Sequence, residues 1–142
     1  MKRATLDDEK WRMFEAHRQR FDEYVPTSLY NFLSEKPDRV PCLCLEFGVR
    51  DPQDRLLAVS FLDVGKTSVS SVFAMFDPEF QARRLGILTM LLEMYWAQQQ
   101  GKQYYYSGYT TMGSSRYDYK KCFHALEGYD FDGKWEPFER QC

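Results

Sequence analysis

A long apolar helix enclosed by two strand-like runs is the feature that most restricts how this chain can fold. Residues 84–100 carry apolar side chains at helical spacing, and Gly101 follows at the position of a left-handed C-cap. Residues 69–76 before it and 104–109 after it are typical of β-strands. A strand, a helix and a second strand of one sheet form a right-handed crossover, so we expect these two strands to be parallel.

An antiparallel meander is predicted before the crossover. Residues 42–49 and 56–64 read as two strands joined by a polar turn, and the second has apolar residues on both of its faces. Residues 65–66 then supply a two-residue hairpin that leads into the strand 69–76. Pro78 ends that strand, because proline has no amide hydrogen to donate to a neighbour.

Three further helices are expected. Residues 7–21 form an amphipathic pattern, and a short helix capped by Thr27 or Ser28 follows it. Residues 114–126 are predicted to be helical before a short aromatic tail. In the long helix 84–100, the spacing predicts one inward-facing set of side chains: Leu85, Leu88, Leu92, Tyr95 and Trp96.

Length and composition restrict the class of protein. The chain has 142 residues, of which 44% are hydrophobic, and this suits a single domain spanning residues 1–142. No window reaches the roughly 18 apolar residues of a spanning helix, and the acidic start is unlike a signal peptide, so we expect a cytoplasmic protein without a membrane partner. The four cysteines lack the spacing of a zinc site, and no metal is expected.

The charge balance limits how the chain can contact RNA. Its formal net charge is -2, whereas proteins that bind nucleic acid through broad charge neutralise phosphates with a basic surface. Any contact with RNA must therefore be local. Lys120 and Lys121, next to Tyr119 and Phe123, offer cations beside aromatic surface, although a solvated helix face gives the same pattern.

Residues 81–86 are a candidate ligand site at the start of the long helix. Gly86 lets a ligand approach backbone amides that carry partial positive charge, and Arg83 and Arg84 add full charges. Close packing of the helix at Gly86 is the alternative explanation, and it stays open at this stage.

The two parallel strands end in polar side chains. Asp77 and Tyr109 lie where the carboxyl ends of the strands are predicted, and open α/β sheets bind ligands at that edge. A cap or turn explains Asp77 equally well. His17 and His124 are interpreted as surface or cap residues rather than general bases.

Taken together, these segments resemble a known family. The element order is similar to that of GNAT acyltransferases, which predicts a GNAT-like α/β fold with a mixed sheet. Over roughly residues 55–135 the chain resembles the C-terminal domain of the arginyl-tRNA-protein transferases and of their bacterial relatives that transfer leucine. The matching residues, in the family's order, are Leu56, Ala58, Val59, Asp63, Ser70, Phe73, Phe76, Asp77, Pro78, Leu85, Gly86, Tyr104, Tyr106, Gly108, Tyr109, Tyr119, Lys120, Phe123 and Glu127. The family's cysteine-rich N-terminal domain has no counterpart in this sequence.

The resemblance implies transfer of arginine or leucine from an aminoacyl-tRNA to the N-terminal amine of an acceptor protein, with no further cofactor. It implies that Asp77 or Glu127 assists the amine, and that Tyr109 or Tyr119 donates to the oxyanion. The residues expected to bind tRNA or substrate are Arg83, Arg84, Gly86, Tyr106, Lys120, Lys121 and Phe123.

Two other functions stay open. The pattern from Arg83 to Gly86 also suits an N-acyltransferase that uses acetyl-CoA, although Leu88 stands where that pattern has a small residue. The third possibility is a binding module without catalysis, which recognises protein N-termini or tRNA ends.

Overall fold

A computed structural model describes residues 1–111, 113–115 and 117–138. The chain divides into two compact units, Met1–Ser107 and Gly108–Cys142. The prediction of one domain spanning the whole chain stays a prediction. No helix among the described residues is long and apolar enough to cross a membrane.

The first unit has mixed α/β architecture. Its elements in chain order are β1 (Lys2–Arg3), α1 (Asp8–Arg18), a 3-10 turn (Leu29–Asn31), β2 (Leu43–Arg50), β3 (Leu56–Val64), β4 (Ser68–Phe76), a 3-10 segment (Pro78–Arg83), α2 (Leu85–Gln99) and β5 (Tyr104–Tyr106). The five strands form one sheet in the order β1-β2-β3-β4-β5. The predicted meander and crossover are therefore confirmed, while β1 was not predicted.

The pairing of β4 with β5 is parallel, as the crossover predicts. It joins Ser68 to Tyr104 and Ser70 to Tyr106, and every other pair of neighbouring strands in this sheet is antiparallel. The strand predicted over 104–109 ends at Tyr106. The backbone turns at Gly108, whose φ of 83° is strained for residues with a side chain.

The core lies on both faces of the sheet, with β3 at its centre. All residues from 56 to 62 are buried, as expected for a strand that is covered on both sides. Phe61 belongs to a cluster with Phe14 of α1, while its neighbour Leu62 packs in a cluster with Ala97 of α2. Because side chains alternate along a strand, α1 and α2 cover opposite faces of the sheet.

The predicted inner face of α2 is wrong in part. Leu88, Leu92 and Tyr95 are 39%, 37% and 64% exposed, and Thr89 and Glu93 are buried instead. Apolar residues occur on every side of this helix, so their spacing does not select one face. Burial of Glu93 becomes possible because its carboxylate accepts a hydrogen bond of 2.5 Å from the Tyr105 hydroxyl.

The second unit corrects the prediction of a helix over 114–126. In the described part of this range the structure has a 3-10 turn (Asp118–Cys122), and a hairpin of β6 (Glu127–Tyr129) and β7 (Trp135–Pro137) follows it. Asp118 accepts hydrogen bonds from the backbone and hydroxyl of Ser115, an arrangement typical of the start of a helical turn. Ala125 has a φ of 54°, which a continuous right-handed helix does not allow.

Candidate functional site

Asp77 lies at the end of β4 and begins the connection to α2. Its side chain accepts a hydrogen bond of 3.0 Å from the amide of Glu79 and thereby caps the 3-10 segment. The same carboxylate accepts a short charge-assisted hydrogen bond from the Arg55 guanidinium. Asp77 therefore fills the cap role that the sequence left open, and it keeps an ionic partner at the surface of the sheet.

Arg83, Arg84 and Gly86 lie together at the start of α2. Arg84 adopts the left-handed conformation, with a φ of 51°, and makes no side-chain cap to the helix. The Arg83 guanidinium lies 4.9 Å from the centre of the Phe80 ring. Both arginines are exposed, so this end of α2 presents two cations beside its first backbone amides.

Packing does not require a glycine at position 86. A Cβ added to Gly86 would lie 3.9 Å from the Phe76 ring, which is an ordinary van der Waals contact. The structure therefore removes the close-packing explanation for this glycine. Approach of a ligand to the backbone remains the explanation that requires a glycine there.

The structure also contains a cleft that the sequence did not indicate, and Asp77 is one of its lining residues. Its volume is about 340 Å³, and its walls come from α1, the start of β3 and the end of β4. The lining residues are Glu9, Arg12, Met13, Ala16, Arg55, Leu56 and Asp77. The four α1 residues lie along one side of the helix, because each is three or four positions from at least one of the others. This spacing is visible in the sequence, whereas the sequence does not show which sheet residues line the cleft with them.

The charges in this cleft are of both signs. The Arg50 guanidinium binds both carboxylate oxygens of Glu9, at 2.6 and 3.1 Å, and this hydrogen bonding lowers the pKa of Glu9. Arg55 donates to Glu79 at 3.0 Å and to Asp77, and these two bonds raise the pKa of Arg55 further. Glu9 and Arg55 are therefore ionised at neutral pH.

Arg12 differs from the other cations of the cleft. Its Nε donates to the backbone carbonyl of Asp8 at 3.1 Å, and its side chain is exposed. Within the ranges that the structure describes, Arg12 makes no ion pair. It therefore presents an uncompensated positive charge along the wall of the cleft.

His17 is a buried residue, and its interpretation as a surface or cap histidine is wrong. It is 3% exposed, and Nδ1 lies 3.2 Å from the amide nitrogen of Phe76 and 3.1 Å from its carbonyl oxygen. Burial lowers the pKa of His17 to about 4, so the ring is neutral at neutral pH. Its role is to join α1 to the end of β4 next to Asp77.

Tyr106 lies on β5 in the first unit and is 40% exposed. Along the strand it alternates with Tyr105, whose side chain points toward α2 and bonds Glu93. The Tyr106 ring therefore lies on the side of β5 that α2 does not cover.

The remaining predicted site residues belong to the second unit. Tyr109 is 82% exposed, and its backbone carbonyl accepts a bond of 3.4 Å from the Lys120 ammonium. Lys120 also lies 5.3 Å from the centre of the Tyr117 ring. Glu127 begins β6 and is exposed, and Tyr119 and Phe123 are half-buried.

Lys121 does not present its charge to solvent. Its side chain is 2% exposed, and its ammonium lies 2.8 Å from both the Asp118 carboxylate and the Gly113 carbonyl. The pKa of Asp118 is lowered to about 2, first by the hydrogen bond from Lys121 and then by the bond from the Ser115 backbone. The Lys121–Asp118 ion pair stabilises the 3-10 turn. The neighbouring Lys120 is the more accessible cation.

Comparison with known proteins identifies the family of this chain. The family model described as "Arginine-tRNA-protein transferase, C terminus" matches residues 9–130. The match includes α1, the sheet strands β2 to β5, the connection 77–86 and the hairpin strand β6. The chain belongs to this family.

Several curated relatives are named aspartate/glutamate leucyltransferase. The protein from Stenotrophomonas maltophilia (strain K279a) is 31% identical over 143 residues, which cover 96% of this chain and 57% of the relative. The protein from Xanthomonas oryzae pv. oryzae (strain PXO99A) is 41% identical over 76 residues, or 54% of this chain and 30% of the relative. That from Xylella fastidiosa (strain M23) is 38% identical over 84 residues, or 59% and 33%. The chain thus spans little more than half the length of the Stenotrophomonas relative.

Proposed function

We propose that this chain carries the catalytic fold of an aminoacyl-tRNA-protein transferase and transfers leucine or arginine to the N-terminal amine of an acceptor protein. The observation that carries the proposal is the family match over residues 9–130. The relatives' names further support leucine as the transferred group and acceptors that begin with aspartate or glutamate. We also propose that the fold is GNAT-like and that the protein acts in the cytoplasm, where aminoacyl-tRNA occurs.

The reaction in this proposal is aminolysis of an ester. The acceptor amine attacks the carbonyl carbon of the aminoacyl ester, a C–N bond forms, the C–O bond to the terminal ribose breaks, and the amine gives up a proton while the ribose oxygen gains one. The ester is already activated, so the protein contributes mainly by orienting both substrates and stabilising the developing oxyanion. A free α-amine titrates near about 8, so a carboxylate that orients it and relays a proton through water is sufficient help.

Asp77 is the residue that we propose for contact with the amine. Its carboxylate is 18% exposed and is held by Arg55 and the Glu79 amide, so its position is defined before substrate binds. We assign Glu127 as the alternative carboxylate, and Tyr109 or Tyr119 as the donor to the oxyanion. These three residues lie in the second unit.

The start of α2 is the proposed contact for the tRNA end. Arg83 and Arg84 supply charge for phosphate groups, and Gly86 leaves the first backbone amides of α2 accessible. Lys120 and Phe123 in the second unit, and Tyr106 on β5, are the proposed additional contacts to the nucleotides. The local basic site agrees with a chain whose overall charge is -2.

A transfer assay tests this proposal directly. Purified protein is mixed with radiolabelled leucyl- or arginyl-tRNA and with peptides that begin with Asp, Glu, Lys or Arg, and label in the peptide is counted. We expect incorporation, and we expect Arg83→Ala with Arg84→Ala to raise the KM for tRNA by about tenfold and to lessen its salt dependence. Arg39→Ala, which removes another exposed arginine, is the matched control.

Two results would reject the transferase assignment. The first is that no label enters the peptide while a control transferase is active in the same assay. A thermal shift with acetyl-CoA, together with acetylation of the same peptides, is the second, because it would assign the chain to acyl-CoA chemistry instead.

A further inference from the structure

The cleft between α1 and the ends of β3 and β4 carries a more specific assignment. We propose that it binds the first residue of the acceptor protein, with Asp77 holding the α-ammonium group and Arg12 holding the acidic side chain. The inference rests on the proposed transferase function and adds the residues that select the acceptor.

The dimensions of the cleft suit such a ligand. Its volume of about 340 Å³ lies at the small end of the range for ligand pockets, about 300–1,000 Å³. Met13, Ala16 and Leu56 form the apolar part of its wall, and Met13 and Leu56 belong to the buried core. A side chain of two or three carbons can pack on this surface while its charged end reaches the rim.

The charge pattern matches an N-terminal aspartate or glutamate. Such a residue carries a positive ammonium and a negative carboxylate a few bonds apart. The lining of the cleft includes the opposite pair, a carboxylate at Asp77, which follows β4, and a guanidinium at Arg12 on α1. An N-terminal lysine would meet Arg12 with a like charge and would be disfavoured.

The two proposed contacts are prepared in different ways. Asp77 is held by Arg55 and by the Glu79 amide, which leaves its position fixed while a carboxylate oxygen can still accept another hydrogen bond. Within the described ranges the Asp8 carbonyl, which bonds Nε, is the one hydrogen-bond partner of the Arg12 side chain, so both terminal nitrogens can bind a carboxylate in the two-point geometry typical of arginine. Glu9 is satisfied by Arg50 and does not compete for Arg12.

The assignment also relates the cleft to the donor site. The connection 77–86 begins at the proposed amine contact and ends at the proposed phosphate contact. A ligand bound at Asp77 and a tRNA end bound at Gly86 therefore occupy the two ends of one short segment. Displacement of this segment would affect both substrates.

Binding can be measured without catalysis. The ¹⁵N spectrum of the whole chain, including the arginine Nε–H signals, is recorded during titration with three peptides: one that begins with Asp, the same peptide beginning with Asn, and the Asp peptide with an acetylated amine. We expect shifts at Arg12, Met13 and Asp77 with the Asp peptide, and a Kd about tenfold weaker for each of the other two.

Arg12→Gln is the decisive variant, because Arg12 is exposed and makes no tertiary ion pair among the described residues. It should weaken binding of the Asp peptide about tenfold and leave binding of the Asn peptide unchanged, while Arg39→Gln changes neither. Equal affinity for the Asp and Asn peptides, or an unchanged Kd in Arg12→Gln, would overturn the assignment, as would no shifts at millimolar peptide.

The transfer assay separates this inference from the function on which it rests. If Arg12→Gln still transfers to Asp and Asn peptides with the wild-type ratio of kcat/KM, the transferase function stands and the cleft assignment fails. If the Asp peptide binds selectively at Arg12 but neither the wild-type protein nor any variant transfers label, the cleft assignment stands and the transferase function fails.

Discussion

The two faces of the sheet are stabilised in different ways. On the α1 face, Lys10 is 3% exposed and its ammonium lies 3.1 Å from the carboxylate of Glu46, which is itself buried. The neutral His17 is buried on the same side. On the α2 face, the cluster around Leu62 and Ala97 is apolar, and the Glu93 carboxylate is bonded to the hydroxyl of Tyr105.

This difference determines which kind of charged ligand suits each face of the sheet. The α1 face already contains compensated charges, and its rim continues them into a cleft of mixed sign that suits a ligand with both charges. The α2 face ends in a helix start with cations alone, Arg83 and Arg84, and suits an anionic ligand. The two faces therefore differ in the charge of the ligand that each would accept.

The largest expected effect concerns the buried pair on the α1 face. Glu46→Ala should lower the free energy of unfolding by about 3 kcal/mol, the lower end of the range for a broken buried pair, because Asp7 still pairs with the buried Lys10 ammonium while the Thr5 amide loses its acceptor. Urea denaturation of the wild type and the variant at neutral pH measures this difference in the free energy of unfolding.

An exposed pair on the same helix provides the control. Glu9→Ala removes the Arg50 partner at the surface and should cost less than about 1 kcal/mol. If both variants lose the same stability, the distinction between the buried and the exposed pair is wrong.

The second largest effect is a dependence of the free energy of unfolding on pH, which arises from His17 on the α1 face. Its pKa is about 4 in the folded protein and about 6.5 when unfolded, so protonation favours the unfolded chain. This contribution is fully present above pH 6.5 and is lost as the pH falls toward 4, by up to about 3 kcal/mol.

His17→Asn tests the sign and size of this effect. The asparagine oxygen can accept the Phe76 amide hydrogen in place of Nδ1 and does not titrate. The difference in unfolding free energy between wild type and variant should therefore shrink or reverse from pH 7 to pH 4. A difference that stays constant with pH would show that His17 is not responsible.

The smallest expected change in stability concerns the α2 face. Gly86→Ala adds a methyl group where only the Phe76 ring is within contact distance, so it should stabilise the helix by up to about 1 kcal/mol. If the tRNA end approaches the backbone here, the same variant should lower kcat/KM for transfer by about one to two orders of magnitude. A variant that is more stable and equally active would remove Gly86 from the proposed site.

Sequence reasoning predicted the elements whose pattern is dominated by burial. The strand 56–64 is observed with the predicted bounds, because it is buried on both faces and enclosed by turns. The helix 84–100 is observed as Leu85–Gln99, but its inner face depends on the Glu93–Tyr105 bond between two elements, which periodicity does not reveal. The helix predicted over 114–126 does not form because the backbone is extended at Phe123 and left-handed at Ala125, and local periodicity does not reveal either angle.

The site shows the same division. Asp77, Arg83, Arg84 and Gly86 could be proposed from the sequence because they are neighbours in the chain and follow a recognisable strand. Arg12 was missed because its relation to Asp77 depends on how α1 lies on the sheet, and no local pattern encodes that arrangement. Lys121 was selected for its charge, whereas its burial next to Asp118 depends on the fold of the turn.

The unequal pairing of β3 and β5 has a consequence for local opening of the fold. β3 is bonded along its length to both β2 and β4, so its amides exchange with solvent only when most of the sheet unfolds. β5 has three paired residues, and the Tyr105–Glu93 bond helps to anchor it to the helix. The edge formed by β5 therefore opens at a lower free-energy cost than the sheet centre, and local unfolding of the sheet should begin at that edge while the core stays closed.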